Sequence, residues 1–330
     1  MKHICLQVAA KGVIPACRES FLKKDSGQAR MTEKRYFQVK RINMLICILA
    51  LGLFIASQSF AETITSKSVK GALPLNPADK AWNNAKTVDI HMQAQRSIRP
   101  GIDTPSVPSV KVSSLNNGSE IAFRLEWSDP TRNDTVNMPD KFSDACAIQF
   151  PVGKGDTAPS YMMGEDNRYV HIIHWKSAWE KDIAEGYQDV EHAYPNYNVD
   201  GYPLTKTVEN KALYPINNFT EEARAFMAGI SVENPLSNTK RKVPVEELNA
   251  QGFRTITTQL QSDAMAKGIW DSSSWKVVIV RKLNSGDTAD SVLKKGPSSF
   301  MSIAVWDGGS GNVGGRKNYA ADGWLTLKIE

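Results

Sequence analysis

Four of the five histidines lie beyond residue 61: His91, His171, His174 and His192. His171 and His174 stand three apart in the run Tyr169–Trp175, which alternates as a strand does. An odd separation on a strand sends two side chains to opposite faces, so this pair cannot readily grip one metal from one side. Either histidine alone could ligate a haem iron; the plainer reading of each is a satisfied structural residue. Met162-Met163-Gly164 falls in a loop between two strand patterns, and by pattern alone its methionines fill gaps in a core. Lys317, after Gly314-Gly315-Arg316, reads by itself as a solvated lysine. Gly309 to Gly314 (GSGNVG) fits GxGxxG to the letter. The chain beyond it runs through Lys317 and Tyr319 into a strand pattern, not a helix. A phosphate there would find no helix N-terminus to bind, so the glycines read as a hairpin loop. No GxSxG or HExxH occurs, and the carboxylates are scattered; a hydrolase has no specific support.

These residues must be positioned by an exported, strand-rich chain. Leu45–Ala56 is an apolar run of twelve preceded by Lys34, Arg35, Lys40 and Arg41 and followed by Ser59-Phe60-Ala61. A basic flank, a short apolar core and a small-x-small exit describe a secretory signal cleaved after about Ala61. The run falls short of the ~20 apolar residues of a membrane span. No twin-arginine pair precedes it, and Met31 is the natural start. The expected division is therefore a leader over 1–61 and one domain over 62–330, with a periplasmic location. Ten of the 40 Lys+Arg and three of the 35 Asp+Glu lie in the leader, leaving 30 basic against 32 acidic residues. The basic balance belongs to the leader, and nucleic-acid binding loses its electrostatic support. Beyond the leader only Cys146 remains of four cysteines. It reads as a small buried residue, and it excludes an internal disulfide, a CxxCH haem attachment, an iron–sulfur cluster and a cysteine zinc site.

Period-two alternation predicts an all-β chain with minor helix. Val110–Leu115 and Ile121–Trp127 flank Asn116-Asn117-Gly118 and predict a hairpin. Ala145–Val152 is more continuously apolar. Tyr169–Trp175, Phe253–Leu260, Trp275–Leu283, Phe300–Trp306 and Trp324–Ile329 complete the strands. Many short strands with turn punctuation predict a two-sheet antiparallel sandwich. Thr220–Ala228 predicts a helix with a threonine N-cap, and Pro244–Gln251 a short helical turn. Residues 186–219, rich in Tyr, Pro and Asn, predict a long surface excursion.

The sequence resembles the haem-b-binding gamma subunits of periplasmic molybdenum enzymes of the ethylbenzene dehydrogenase type, whose relatives serve dimethylsulfide, selenate, chlorate and nitrite enzymes. The resemblance runs from about Leu73 to Ile329. It rests on Leu73-Pro-Leu-Asn-Pro77 with Trp82, on Leu125-Glu-Trp-Ser-Asp-Pro130, on Asp144–Pro151 and on Met162-Met163-Gly164. Further pieces are His171–Lys176, Val245–Phe253, Gly268-Ile-Trp270, Trp275–Arg281 and Ile303–Gly308. The stretch 186–219 is similar to the branch nearer nitrite or nitrate enzymes. The resemblance implies one non-covalent haem b in a pocket at one end of the sandwich, with Met163 and Lys317 as axial ligands. Met162 is the neighbouring alternative for the methionine, and Lys294 or Lys295 for the lysine. It also implies an electron-transfer role rather than catalysis. The implied partners are a molybdenum-cofactor catalytic subunit, an iron–sulfur subunit and a cytochrome c-type carrier. Two rival readings are a carbohydrate- or ligand-binding sandwich using some of the eight tryptophans, and a haem carrier working alone.

Overall fold

The structure, a computed structural model, describes residues 62–330 except 154–156, 189, 195–206, 209–210, 213–225 and 227. The apolar run at 45–56 lies outside these residues. So does most of the helix expected over Thr220–Ala228, of which Phe226 and Ala228 alone are described. Among the described residues no helix is long and apolar enough to cross a membrane.

Strands carry the fold: β1 Thr63–Ser68, β2 Val88–Ala94, β3 Ser109–Asn116, β4 Glu120–Ser128, β5 Ala145–Pro151 and β6 Val170–Lys176. They continue as β7 Thr207–Val208, β8 Lys211–Ala212, β9 Val245–Ala250, β10 Thr257–Thr258 and β11 Met265–Trp270. The last are β12 Ser274–Lys282, β13 Gly296–Trp306, β14 Asn318–Ala320 and β15 Leu325–Ile329. One layer runs β11-β12-β4-β3, extended by β1 and β15; the other runs β10-β9-β6-β5-β13-β14-β2. Strands β2 and β13 belong to both. The first half of β2 pairs with β3 and its end with β14, while β13 pairs first with β15 and then with β5. The sandwich is all-β as expected, with one departure from antiparallel pairing: β1 lies parallel to both β15 and β3.

The main core lies between the layers. Phe123, Leu125 and Trp127 of β4 meet Cys146, Ile148, Phe150 and Trp175 of β5 and β6 there. Phe123 and Phe150 rings stand 5.7 Å apart, and Trp127 and Trp175 meet edge to face at 6.4 Å. Cys146 is fully buried, and burial pushes its thiol up well above the usual range. The predicted hairpin forms as β3–β4, and the Asn117 side chain closes its turn by accepting from the Ser119 and Glu120 amides. Pro244–Gln251 is not helical. Its Glu-, Leu- and Ala-rich composition favours helix locally, but Val245–Ala250 pairs along the whole of β6, and tertiary pairing overrides a weak propensity. Of Phe253–Leu260, only Thr257–Thr258 is strand. A helix the alternation did not announce, α1 Ser177–Glu185, follows β6 directly.

A candidate cofactor pocket on the outward face of the second sheet

Strands β5 and β6 read as continuously apolar because both of their faces are covered. The inward residues enter the main core. Outward, Ala145 and Ala147 of β5, Val170 and Ile172 of β6, Leu248 and Ala250 of β9 and Ala304 and Trp306 of β13 form a second apolar cluster. The register sets small residues side by side: Ala304 opposes Ala147, which opposes His174. Two alanines side by side, Ala147 and Ala304, leave a depression where larger side chains would have filled the sheet face. Loops close over it and leave a cavity of about 500 Å³, within the range of small-molecule and cofactor sites. The cavity therefore lies on the outside of one sheet, not at the end of the sandwich.

Met162, Met163, His174 and Lys317 all line this cavity. Lys294 and Lys295 do not; they are exposed in the segment before β13. Met163 sits at the end of a tight turn in which the Gly164 amide donates to the Ser160 carbonyl at 2.8 Å. Its φ of 71° is left-handed, a region that costs a non-glycine residue of order 1 kcal/mol and tends to be kept where a side chain must be aimed. The Gly252 amide holds the Met163 carbonyl at 2.8 Å. Gly164 has to be glycine: its φ is 81°, and a Cβ would lie 2.7 Å from the Arg168 carbonyl oxygen and 2.9 Å from that of Ala250. The thioether packs against the outward cluster.

Lys317 arrives from the glycine-rich loop. Asn318, fully buried, pins the loop by donating to the Asn312 side chain at 2.9 Å and by accepting from the Ser106 amide at 3.1 Å. The Gln95 amide donates to the Lys317 carbonyl. Strand alternation then turns Lys317 and Tyr319 outward, while Asn318 and Ala320 point in. Trp306 forms the wall beside them. Its indole donates to the Gly314 carbonyl at 2.9 Å, and its ring faces the Lys317 Nζ at 5.3 Å and stacks on His174 at 4.6 Å.

Lys317 makes no ion pair or side-chain hydrogen bond among the described residues, and burial lowers its pKa from 10.5 to about 8. Burial foremost, and then the cations of Lys176 and Lys317, hold His174 well below the usual histidine range, so its ring is neutral at pH 7. Its Nε2 is buried without a hydrogen-bond partner. The cavity thus presents a soft sulfur, an amine biased towards its neutral form and an imidazole, on largely apolar walls.

A family model described as ethylbenzene dehydrogenase matches residues 79–318, which is most of the chain. The chain belongs to the ethylbenzene dehydrogenase family. It is 22% identical over 293 residues to a protein of Haloferax mediterranei provisionally named respiratory nitrate reductase heme subunit ORF7, covering 88% of this chain and 83% of that one. It is 29% identical over 115 residues to chlorate reductase subunit gamma of Ideonella dechloratans, covering 33% of this chain and 46% of that one. Among solved structures, a family 9 carbohydrate binding module from Caldicellulosiruptor kristjanssonii in complex with glucose is similar at a TM-score of 0.34 and 9% identity. That likeness covers 82% of this chain and 96% of the module, and a score so low carries no functional argument.

In this family member no tryptophan offers an exposed platform for a sugar. Trp82, Trp127, Trp175, Trp275 and Trp306 are buried, and Trp179, Trp270 and Trp324 are half-buried. The sequence reading treats His174 as structural, yet the alternation of β6 already separates it from His171, which points inward. The walls from Gln95 to Ile98 and from Phe253 to Ile256 left no signal, because loop residues acquire a role only when the strands they join are placed.

Proposed function

We propose that this chain is an exported, periplasmic subunit that holds one haem b in the outward cavity and passes electrons within a molybdenum and iron–sulfur oxidoreductase complex. The reading rests foremost on Lys317: a lone amine, unpaired among the described residues, in the same apolar cavity as Met163. An unpaired, half-buried cation on apolar walls is disfavoured, and ligation by a neutral amine removes that cost. The lowered pKa of Lys317 favours the form that can ligate. Met163, aimed by its left-handed backbone, offers a thioether, a soft donor that favours ferrous iron. A haem b held there supplies reversible one-electron chemistry. With Met163 and Lys317 both bound to iron, no position would remain for a substrate, which fits a carrier and not a catalyst. Ala147, Ile172, Leu248, Ala304 and Trp306 exclude water from the site. The names of the relatives from Haloferax mediterranei and Ideonella dechloratans, a nitrate reductase heme subunit and a chlorate reductase gamma subunit, support the same assignment. A catalytic molybdenum-cofactor subunit, an iron–sulfur subunit and a cytochrome c-type acceptor or donor are the partners this role requires.

The test is production of the chain with export and a haem supply, followed by haem extraction and pyridine haemochrome analysis. One extractable b-type haem per chain, reducible and reoxidisable, is expected. A folded chain that takes up no haem would overturn the proposal.

A further inference from the structure

Away from the cavity, three strand ends bring aspartates to one place. Asp129 directly follows β4, Asp144 directly precedes β5 and Asp307 directly follows β13. All three are buried, at 1%, 0% and 9% exposure. Each offers a carboxylate oxygen, and these oxygens lie within 4.8 Å of one another. N–H and O–H groups satisfy part of the set. Asp144 accepts from the Asn133 amide at 2.7 Å, the Gly308 amide at 2.8 Å and the Trp275 indole at 3.0 Å. Asp307 accepts from the Ser310 amide at 3.0 Å and the Ser310 hydroxyl at 2.6 Å. Asp129 Oδ1 accepts from the Thr131 amide at 3.1 Å and hydroxyl at 3.3 Å, while its Oδ2 is buried with no well-formed hydrogen bond, the Trp127 indole N–H being the neighbouring donor.

No lysine, arginine or histidine among the described residues forms an ion pair with any of the three. A second buried acidic cluster among the described residues is different. Glu247 and Asp290 lie 3.3 Å from His171 Nε2 and beside the guanidinium of Arg281, so that cluster holds a counter-charge of its own. Further oxygens stand beside the aspartates. A Cβ on Gly309 would lie 2.7 Å from Thr131 Oγ1, 2.9 Å from Asn133 Oδ1 and 3.3 Å from Asp307 Oδ1. The missing side chain thus leaves a cradle edged by oxygen. Three like charges out of water, close together and without a counter-charge, are unfavourable unless protons or a cation join them.

We propose that this end of the sandwich is a Ca²⁺ site, with Asp129, Asp144 and Asp307 supplying the charge and Thr131 and Asn133 the flanking oxygens. An all-oxygen set on converging loops suits Ca²⁺, which takes 6–8 oxygen ligands in flexible geometry. Zinc, copper and iron favour nitrogen or sulfur donors, and none is here. Mg²⁺ holds its waters and demands a strict octahedron, which suits this dry cluster poorly. The site needs no haem. It does anchor the start of the loop that ends at Lys317, since Asp307 opens that loop and its carbonyl accepts from the Ser310 and Asn312 amides.

The exported protein, stripped with EGTA, is titrated with Ca²⁺ or with Mg²⁺ while thermal unfolding is followed. Tb³⁺ luminescence excited through tryptophan gives a second readout, because the Trp275 indole touches Asp144 and the Trp270 indole donates to the Asp129 carbonyl. Ca²⁺ at a hundredfold excess over its dissociation constant is expected to raise the Tm by about 5 °C or more. Mg²⁺ should bind at least about tenfold more weakly. Asp129→Asn and Asp307→Asn should each weaken Ca²⁺ binding by about tenfold or more, and abolish the sensitised Tb³⁺ signal that Ca²⁺ displaces. A stripped wild type whose Tm ignores Ca²⁺, or Asn variants that bind Ca²⁺ as the wild type does, would overturn the proposal. Should both variants fail to fold, bound calcium in the wild type decides: one equivalent per chain with the Tm shift supports the site, and none overturns it. Haem content is scored separately, so failure of this site and failure of the haem reading are distinguishable.

Discussion

Strand β6 carries a histidine on each face, and each histidine shares its face with one cation, Arg281 buried inward and Lys317 half-buried outward. Inward, His171 lies 3.3 Å from both Glu247 and Asp290, and Arg281 sits beside it, donating to the Ser291 carbonyl at 2.6 Å and the Lys282 carbonyl at 2.8 Å. Both carboxylates there lie within ion-pair distance of His171 and feel the Arg281 guanidinium, although His171 Nε2 and Glu247 Oε1 lack a well-formed hydrogen bond. Outward, His174 has a bare Nε2, and Lys317 has neither a carboxylate nor a hydrogen bond among the described residues. The inward cation has carboxylates beside it within the chain, and the outward one has none among the described residues. Burial alone therefore does not separate a structural charge from a ligand; the inventory of its partners does.

The contrast breaks most sharply at Arg281. Arg281→Met would leave two buried carboxylates facing a single imidazole and is expected to cost about 3–5 kcal/mol in urea unfolding. A cost near zero would erase the distinction between the two faces. Gly164→Ala comes next. With φ at 81° and two carbonyl oxygens in the way, it should destabilise by more than about 1 kcal/mol and displace the Met163 side chain, seen as a lowered urea midpoint together with weakened haem binding.

Lys317→Met should act in the opposite sense from Arg281→Met. In the haem-free chain at pH 7 it removes an unpaired cation and should stabilise by on the order of 1 kcal/mol. The sign with pH follows from the lowered pKa. Between about 8 and 10.5 the unfolded chain holds the Lys317 proton and the folded chain has released it, so wild-type stability rises with pH across that window. Lys317→Met should flatten that rise, measured by urea unfolding of the haem-free protein at pH 7.5, 9 and 10. A rise of equal slope in the variant would assign it to another group.

How much of this was legible before the structure depends on distance along the chain. The β3–β4 hairpin and strands β12, β13 and β15 follow from alternation and turn residues alone. Strand β1, with its polar TITSKS sequence, gave no such signal, because its place is set by parallel pairing to β15 and β3. Strand β9 misled, since Val245–Ala250 has helical composition and takes its conformation from β6. The opposed faces of His171 and His174 were readable from a spacing of three. Met163 and Lys317 carried no chemistry by pattern; resemblance singled them out, and the cavity they share depends on the register of Ala147 and Ala304, which no local window contains. Asp307 is as distant in sequence from Asp129 and Asp144, and only the closing of strand ends makes the three neighbours.

The central claim is that Met163 and Lys317 hold a haem iron in the outward cavity. Its most direct test is the visible and near-infrared spectrum of the haem-loaded protein beside Met163→Ala, Lys317→Ala, Met162→Ala and His174→Ala. The account predicts a six-coordinate low-spin haem in the wild type, a changed ligand signature in the Met163 and Lys317 variants, and an unchanged one in the Met162 and His174 variants. An unchanged spectrum in both Met163→Ala and Lys317→Ala, with the change appearing in His174→Ala instead, would contradict it.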